Sequence, residues 1–522
     1  MCPEFRSIQP PPLPKYSGKK LSMRNESETA GRVDALGDKG CATEARLIWR
    51  RKDIAIDLVG FLLIVWPLAV NGAPFYSEDT SSYLRGGGFG FHTGLAILAQ
   101  WWTSIAGGLP AAGPVSESPQ MIVRAAVANS GGARSVIYSV FTYVLRAPGS
   151  SLFTLVIAQA GAVTMTISLL RRLILPETGL WTGIAVGVGV ACLTSAGWYA
   201  SYAMPDIFAG VTVGGALILT VFFDRLGMFA RMLLVLLVGF SVTTHGSHLP
   251  IALSTLAAGA AAHFWLRRIP LSRMATRSLW FASPLVLATA ALFATSFLAF
   301  GEVSLAPKRY PILLARSVAD GPGAWYLREN CATERYAICE VLGPNPPRNV
   351  GQFLWAPGGV RFQATPEQME RIRTEEATIV RRAALEYPRA QIVASAKNMV
   401  AQFFELGLNG LQFGRTLLDT DEPVLSQAHP DWPQLRSVFE IVIYASFFGS
   451  LALLLFFRRA IRPVEFAAVA VALTGLLANA AVCGILSGVT DRYQGRVAWV
   501  LPSLAILIFL RVLIDRRSRT VR

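Results

Sequence analysis

Residues 54–70 read IAIDLVGFLLIVWPLAV, and residues 71–83, which follow at once, read NGAPFYSEDTSSY. The first stretch is apolar and close to the length of about 20 residues that an α-helix needs to cross a bilayer. The second stretch carries two adjacent carboxylates, Glu78 and Asp79, just beyond the predicted membrane boundary. Ionisable groups at such a place are costly unless they are solvated or used. The pair therefore indicates either loop charges in water or a functional site beside the bilayer.

The composition extends this interpretation to the whole chain. Of its 522 residues, 53% are hydrophobic and 16% are charged, which is typical of a polytopic membrane protein and not of several soluble domains. The net charge of +15 comes from short basic tracts that lie between apolar runs. No basic stripe carries interleaved aromatic residues, so nucleic acid is not an expected partner.

Ten apolar runs have a length near that of a membrane span. They lie at residues 54–70, 151–170, 179–198, 206–223, 231–245, 249–266, 279–300, 437–457, 463–486 and 496–514. The sequence therefore predicts an all-α polytopic membrane protein with about ten transmembrane helices, or eleven to twelve if a loop segment also crosses. Arg50, Arg51 and Lys52 precede the first run, which places both termini in the cytoplasm because basic loops stay inside. With ten spans, every cytoplasmic loop is basic.

The spans divide the chain into four parts. They are a disordered cytoplasmic tail at 1–50, a transmembrane core at 51–300 that includes the first outer loop at 71–150, a small non-cytoplasmic domain at 301–435, and C-terminal transmembrane helices at 436–522. The tail is rich in Pro, Lys, Arg and Ser and has no apolar run, which is typical of disorder.

Three features of the outer segments carry local predictions. Residues 91–106 are apolar and contain Trp101 and Trp102, which favours a helix lying on the membrane surface. Residues 86–90 read GGGFG and are expected to form a flexible turn. Cys331 and Cys339 lie eight residues apart, and an oxidising outer compartment would permit a disulfide between them.

Five polar clusters fall where the predicted spans end on the non-cytoplasmic side. They lie at residues 78–79, 134–139, 198–206, 244–250 and 491–496. Apart from basic charge, no such cluster occurs at the opposite ends. This asymmetry indicates one water-accessible site near the outer face of the bilayer.

Lipid-phosphate sugars present a reactive anomeric carbon at that depth, and sugar transfer needs a base and a group that steadies the departing phosphate. Asp79 or Glu78 is the expected base. Arg492 and Arg496 are expected to hold the phosphate, because guanidinium forks match its oxygens. Arg134 either joins them or extends to lipid headgroups.

The remaining polar residues are assigned to positioning. Asp206, His245 and His248 are expected to position the sugar or to bind a divalent metal, with Tyr493 as a further positioning residue. For each of these residues a purely structural alternative stays open. Asp206 follows Pro205 and would suit a helix cap, the histidines would suit hydrogen bonds inside the bundle, and Arg492 would suit a local ion pair with Asp491. No other cofactor is expected.

The arrangement resembles the GT-C superfamily of membrane glycosyltransferases, which includes protein mannosyltransferases and the aminoarabinose transferases of lipid A. The resemblance covers roughly residues 54–300 and, more loosely, the last two spans. It rests on the acidic motif Tyr76-Ser77-Glu78-Asp79-Thr80 in the first outer loop and on a second acid in Met204-Pro205-Asp206. The segment at 301–435 departs from the family, because it falls between spans and not at the C-terminus.

The resemblance implies a glycosyltransferase of the bacterial inner (plasma) membrane. It would move sugar from a polyprenyl-phosphate donor to a glycan, lipid or protein acceptor, with a first-loop carboxylate as general base. A transporter or flippase of lipid-linked glycans, or a polysaccharide polymerase or ligase, are the alternatives. Transporters typically carry charges near the bilayer midplane and internal repeats, and this sequence shows few such charges and no evident repeat.

Overall fold

The computed structural model describes residues 51–105, 134–146, 151–267, 270–306, 308–411, 414–419, 422–428 and 432–520. Within these ranges the protein is helical apart from one two-stranded hairpin. The predicted tail at 1–50 and the middle of the first outer loop lie outside the described residues.

The first half of the chain supplies most of the transmembrane bundle. Its helices are α1 (Arg51–Ile64), α2 (Trp66–Asn71), α3 (Glu78–Ile105), α4 (Val136–Arg146), α5 (Phe153–Ile174), α6 (Leu180–Leu193), α7 (Ala196–Ala200), α8 (Ile207–Val221), α9 (Met228–Thr243), α10 (His248–Arg267) and α11 (Leu271–Phe300). A short 3-10 helix, Phe223–Arg225, follows α8.

The second half adds a separate helical region and then returns to the bundle. Its elements are α12 (Ile312–Asp320), α13 (Pro322–Glu334), α14 (Ala337–Leu342), α15 (Val350–Leu354), α16 (Val360–Gln363), α17 (Pro366–Glu386), α18 (Pro388–Phe404), β1 (Gly414–Asp419), β2 (Glu422–Ala428), α19 (Trp432–Phe456), α20 (Pro463–Leu486), α21 (Asp491–Ala498) and α22 (Val500–Thr520). A second 3-10 helix, Arg458–Ala460, follows α19.

Seven helices in the described part of the chain are long and apolar enough to cross a membrane. They are Arg51–Asn71, Phe153–Ile174, His248–Arg267, Ser272–Phe300, Gln434–Phe456, Pro463–Leu486 and Asp491–Ser518. The other three predicted spans fall on the shorter apolar helices α6, α8 and α9. The protein is therefore a helical membrane protein, with seven helices of spanning length among the described residues, and the count of ten stays a prediction.

Helix α8 lies at the centre of the bundle. All of its 15 residues are buried, and it contacts α5, α9, α10, α20 and α21. A helix that is apolar all round is stable only when every side is covered. Asp206 directly precedes this helix, so one of the predicted site residues lies at the end of the bundle's axis.

Small residues allow the helices to approach each other closely, as their spacing predicts. A Cβ atom at Gly183 would meet Ile56 of α1 at 2.6 Å, and one at Gly187 would lie 3.3 Å from Gly60. Gly210 of α8 is similarly close to Trp499, where a Cβ would lie 2.3 Å from the indole nitrogen. These glycines act in packing, the interpretation that small-xxx-small pairs favour.

Buried ion pairs hold the ends of helices that lie far from Asp206. Asp53 and Asp57 of α1 each lie 3.2 Å from the guanidinium of Arg171 in α5. Glu465 of α20 pairs with Arg511 of α22. We call this end of the bundle the Arg171 end and the other the Asp79 end.

The segment between the bundle helices has a core of its own. Helices α12 to α17 pack around buried apolar residues that include Leu314, Val318, Tyr326, Leu327, Ile338, Phe353, Leu354, Ile372 and Ile379. Cys331 and Cys339 form the expected disulfide, with their Cα atoms 5.6 Å apart. Thr365 and Gln368 form a capping box at the start of α17.

One prediction about local structure is wrong. The run at 86–90 is not a flexible turn but lies inside α3, which continues to Ile105. A Cβ at Gly87 would lie 2.0 Å from the carbonyl oxygen of Ser139, so glycine is needed where α3 crosses α4. Apart from the short hairpin of β1 and β2, paired from Gly414↔Ala428 to Asp419↔Glu422, the regular elements of the described residues are helices, in agreement with the prediction of a helical membrane protein. Trp101 and Trp102 are exposed on α3, as a surface helix would place them.

Candidate functional site

The two segments that carry the predicted acids are joined by backbone hydrogen bonds. Phe75 donates from its N–H to the carbonyl of Ser201 at 2.9 Å, and Ala203 donates to the carbonyl of Phe75 at 2.9 Å. Thr80 adds a side-chain bond to the carbonyl of Ala203 at 3.2 Å. This short parallel bridge, one residue pair long, fixes the first turn of α3 beside the start of α8.

The buried side chain of Gln159 supports the same loop through hydrogen bonds. The Gln159 amide donates to the carbonyls of Ala200 at 3.0 Å and Tyr202 at 2.7 Å, and its oxygen accepts from the hydroxyl of Tyr138 at 2.8 Å. Gln159 has no exposed surface, so unmade bonds there would be costly. Gln159 is not among the predicted site residues, although an amide within an apolar span is a signal for an internal hydrogen bond.

Five charged side chains meet in front of this loop. Asp79 pairs with Arg134 and lies 3.7 Å from Arg492. Asp206 lies 3.3 Å from Arg492 and 3.4 Å from Arg496. We call these five residues the acid–arginine cluster. They come from α3, the start of α4, the N-terminal end of α8, and α21.

The acid–arginine cluster has an open half and a closed half. The side chains of Asp79 and Arg134 are 27% and 23% exposed, and Arg492 is 18% exposed. Asp206 and Arg496 are only 2% and 1% exposed. A ligand that enters from solvent therefore reaches Asp79, Arg134 and Arg492 first.

Arg496 is held on several sides. Its guanidinium donates to the hydroxyl of Ser247 at 2.9 Å and to the amide oxygen of Asn479 at 3.2 Å, besides pairing with Asp206. A buried cation inside an apolar bundle is stable only when it is paired and hydrogen-bonded. Arg496 is therefore not a group that an anion entering from solvent reaches first, and its role in phosphate binding stays a prediction.

The alternative interpretations of two acids are also tested by the geometry. Asp206 is the residue before α8, but its side chain makes no capping hydrogen bond, so it is not a simple helix cap. Asp491 lies beside Glu405, with which it shares a side-chain hydrogen bond. Arg492 instead reaches across to Asp79 and Asp206, which is more than a local ion pair with its neighbour.

His245 and His248 lie close together, with ring centroids 5.4 Å apart. The Nδ1 of His248 lies 2.8 Å from the carbonyl of Ser241, and the Nδ1 of His245 lies 2.8 Å from the hydroxyl of Ser247.

The expected metal ligands are not arranged as a metal site. Among the described residues, no three His, Cys, Asp or Glu side chains are grouped so that they could hold a metal ion. The reason is visible in the contacts, because Asp206 faces two guanidinium groups and one nitrogen of each histidine is bonded to the protein. The two histidines fit the alternative of hydrogen bonding within the bundle.

Tyr493 and Glu78 complete the predicted set. The ring of Tyr493 lies 5.5 Å from the guanidinium of Arg492 and 5.1 Å from that of Arg496, within range for cation–π attraction. Tyr493 therefore supports both arginines. Glu78 begins α3, but its side chain lies outside the described part of the structure.

The segment that follows α18 forms one side of the site, and its residues are not among those predicted from the sequence. The hydroxyl of Tyr199 donates to the carbonyl of Gly407 at 3.0 Å, and that of Tyr202 donates to the carbonyl of Gly410 at 2.9 Å. A Cβ at Gly410 would lie 3.1 Å from the side chain of Arg492. Residues 405–411, called the glycine wall, therefore lie against the acid–arginine cluster.

A carboxyl pair lies at the edge of this wall. The side-chain hydrogen bond with Asp491, together with burial, raises the pKa of Glu405 to about 7. Two carboxyl groups in contact share a proton, because both cannot ionise at low cost. Glu405 thus connects the glycine wall to the first residue of the helix that carries Arg492.

No family model, curated protein or solved structure matches this chain. The fold and the site together define a helical membrane protein with charged groups drawn from distant segments into one cluster at one end of its bundle.

Proposed function

We propose that the protein is a membrane glycosyltransferase that moves a sugar from a polyprenyl-phosphate donor to a glycan, lipid or protein acceptor. The observation that supports this proposal is the meeting of Asp79, Arg134, Asp206, Arg492 and Arg496 in one partly open cluster. Ionisable residues in a membrane bundle are rare, and this cluster differs from the buried ion pairs at the Arg171 end in that Asp79, Arg134 and Arg492 are partly open to solvent.

The charges of the cluster suit an anionic ligand. Three guanidinium groups face two carboxylates, which leaves an excess of positive charge within these five residues. Arg134 and Arg492 are the accessible cations, and a phosphate can take a fork of N–H donors from each. A phosphate bound there competes with Asp79 for both arginines, so donor binding would release the Asp79 carboxylate.

The released carboxylate then acts as the base. Asp79 accepts the proton of the acceptor hydroxyl as that oxygen forms its bond to the anomeric carbon of the sugar. The bond between the anomeric carbon and the phosphate oxygen breaks, and its electron pair stays on the phosphate. Arg134 and Arg492 stabilise the charge that develops there. Asp206, which also pairs with Arg496, holds Arg492 in place from the closed side.

We further propose that the Asp79 end faces the non-cytoplasmic side and that both termini are cytoplasmic. The Arg171 end carries the basic tracts between the bundle helices, including Arg172, Arg225, Arg267 and Arg458, and basic loops remain in the cytoplasm. The site would then lie at the outer headgroups of a bacterial inner membrane, among the lipids that carry the donor.

The test uses the full chain purified in lipid nanodiscs. A panel of polyprenyl-phosphate sugars with labelled sugar is supplied together with candidate acceptor lipids and glycans, and the release of polyprenyl phosphate is measured. Release that depends on Asp79 supports the proposal. Movement of an intact lipid-linked glycan across a proteoliposome membrane, with no bond cleaved by the protein, would overturn it in favour of the flippase alternative.

A further inference from the structure

Helix α18 turns its polar side chains toward the rest of the protein. Gln402 donates to the carbonyl of Thr490 at 2.8 Å and accepts from the N–H of Thr490 at 2.9 Å. Asn398 donates to Asp320 of α12 at 2.9 Å. A Cβ at Gly484 of α20 would lie 2.6 Å from the carbonyl of Asn398, so α18 packs tightly on this bundle helix.

The opposite face of α18 carries large apolar side chains that the described residues leave uncovered. Ile392 is 68% exposed, Val393 60%, Val400 56% and Phe404 47%. Their spacing places them on one side of an α-helix. No acidic residue occurs between Pro388 and Phe404.

This arrangement is the reverse of that in a helix on a water-soluble surface, where the apolar stripe faces the core and polar residues face solvent. The only charged residues of α18 are Arg389 and Lys397, and both are exposed. Long basic side chains can lie along apolar surface while their charges reach the headgroups. The distribution therefore suits hydrocarbon and its interface and not bulk water.

The exposed face of α18 continues the surface of a bundle helix. Phe404 stacks on Phe448 of α19, with ring centroids 6.1 Å apart and planes inclined by 20°. Phe448 and its neighbour Ile441, which are both exposed, lie on a helix long and apolar enough to cross the membrane. One continuous apolar surface therefore runs from α19 onto α18.

From this continuity and from the inward polar face, we infer that α18 is immersed in the bilayer and that lipid hydrocarbon covers Ile392, Val393, Val400 and Phe404. The region at 301–435 is thus not wholly outside the membrane. It returns to membrane depth through α18, and the glycine wall that follows meets the acid–arginine cluster there. The inference depends on packing and exposure and is independent of the proposed chemistry.

The test measures the environment of single spin labels in nanodiscs. Labels are attached at Val393→Cys and Val400→Cys, with Arg381→Cys on the exposed side of α17 as the matched control. Cys2, Cys41 and the exposed Cys192 are first replaced by alanine, while buried Cys483 and the Cys331–Cys339 disulfide are kept. We expect labels at 393 and 400 to collide more often with oxygen than with a water-soluble nickel chelate, and the label at 381 to show the reverse.

Two results would overturn the inference. Chelate access at 393 and 400 equal to that at 381 would place α18 in water. Protection of both positions from oxygen and from chelate would mean that another protein chain, such as a second copy, covers them. A second measurement, quenching of a fluorophore at position 393 by lipids brominated along the acyl chain, must agree with lipid contact.

Discussion

Arg492 places its Nε 3.3 Å from a carboxylate oxygen of Asp206, at the boundary between the open and closed halves of the site. The same guanidinium lies 3.7 Å from Asp79. Asp206 is almost wholly buried, so its negative charge is tolerable only because cations face it. Arg492 is therefore at once a partner that a buried acid needs and a cation that an entering anion can reach.

Asp79→Asn should abolish sugar transfer and leave membrane insertion and folding intact. The amide has nearly the same shape but cannot accept the acceptor's proton, and loss of a general base typically lowers rate by about 10²- to 10⁴-fold. The measurement is turnover of the polyprenyl-phosphate donor in nanodiscs, with size-exclusion behaviour as the check of folding.

The matched control is Asp515→Asn. Asp515 also pairs with arginines, at 3.0 Å from Arg462 and 3.3 Å from Arg511, but it lies near the Arg171 end and is partly exposed. Its variant should transfer sugar at the normal rate. Normal transfer by well-folded Asp79→Asn would remove Asp79 from the role of base.

Arg492→Ala should weaken use of the donor more than use of the acceptor. The side chain is partly open, and a phosphate bound there would lose one of two accessible guanidinium groups. We expect the KM for donor to rise about tenfold or more, because charged hydrogen bonds contribute about 1.5–3 kcal/mol each, with little change in the KM for acceptor. Arg492→Lys should recover only part of the loss, since an ammonium cannot form the planar fork. An effect confined to acceptor affinity would contradict the phosphate role.

Arg496→Met should lower the stability of the protein more than the same substitution at any exposed arginine does. Removing one partner of a buried ion pair typically costs about 3–5 kcal/mol, because the remaining charge is left uncompensated. Arg492 still faces Asp206, so the loss should lie near the lower end. The measurement is thermal unfolding in detergent. If the pairing is the cause, the double variant Asp206→Asn with Arg496→Met should be more stable than Arg496→Met alone, and equal or lower stability would contradict it.

Much of the bundle was accessible from the sequence. Hydropathy located the helices because a spanning segment must be apolar along its whole length. Residues such as Asp79, Asp206 and Arg492 were predicted to meet because they fall at the same ends of alternating helices. In the structure Arg492 lies 3.7 Å from Asp79 and 3.3 Å from Asp206, so the three side chains do lie together.

Other parts could not be predicted, because they depend on packing between distant segments. The local sequence does not show whether the glycine run at 86–90 forms a turn or part of a helix. Gly87 lies in α3 because α4 packs closely against it. The glycine wall reaches the site because α18, which precedes it, packs on the bundle. The mixed composition of α18 does not indicate how deep this helix lies in the membrane. The sequence does not display that His248 lies beside the backbone carbonyl of Ser241 and His245 beside the hydroxyl of Ser247, so it could not separate hydrogen-bonded histidines from metal ligands.

Gly87→Ala should destabilise the protein, whereas Gly94→Ala on the same helix should not. A Cβ at Gly87 would lie 2.0 Å from the Ser139 carbonyl, while nothing lies within 4 Å of a Cβ at Gly94. Overpacking typically costs about 1–3 kcal/mol, and alanine otherwise favours a helix over glycine by about 1 kcal/mol. Thermal unfolding of the two variants separates packing from propensity. Equal shifts in the two would mean that α3 and α4 do not make this close contact.

Glu405→Gln should remove a pH dependence of stability. Its hydrogen bond with Asp491 and its burial raise the pKa of Glu405 to about 7 from an ordinary value of 4.5. A raised pKa means that the folded protein binds the proton more tightly than the unfolded chain, so the contribution to stability is complete below about pH 4.5 and is lost as the pH rises to about 7. The amide cannot lose a proton, and the slope should disappear.

The measurement is the thermal midpoint of unfolding in nanodiscs at a series of pH values from about 5 to about 8. Glu440 and Tyr444 also lie near the pair, so the variant is compared with Glu367→Gln, which removes an exposed carboxyl of α17. Only Glu405→Gln should flatten the profile. A profile that keeps the slope of the unaltered protein would show that Glu405 and Asp491 do not share a proton, and the link between the glycine wall and the helix of Arg492 would then have to rest on Gln402 and Thr490 alone.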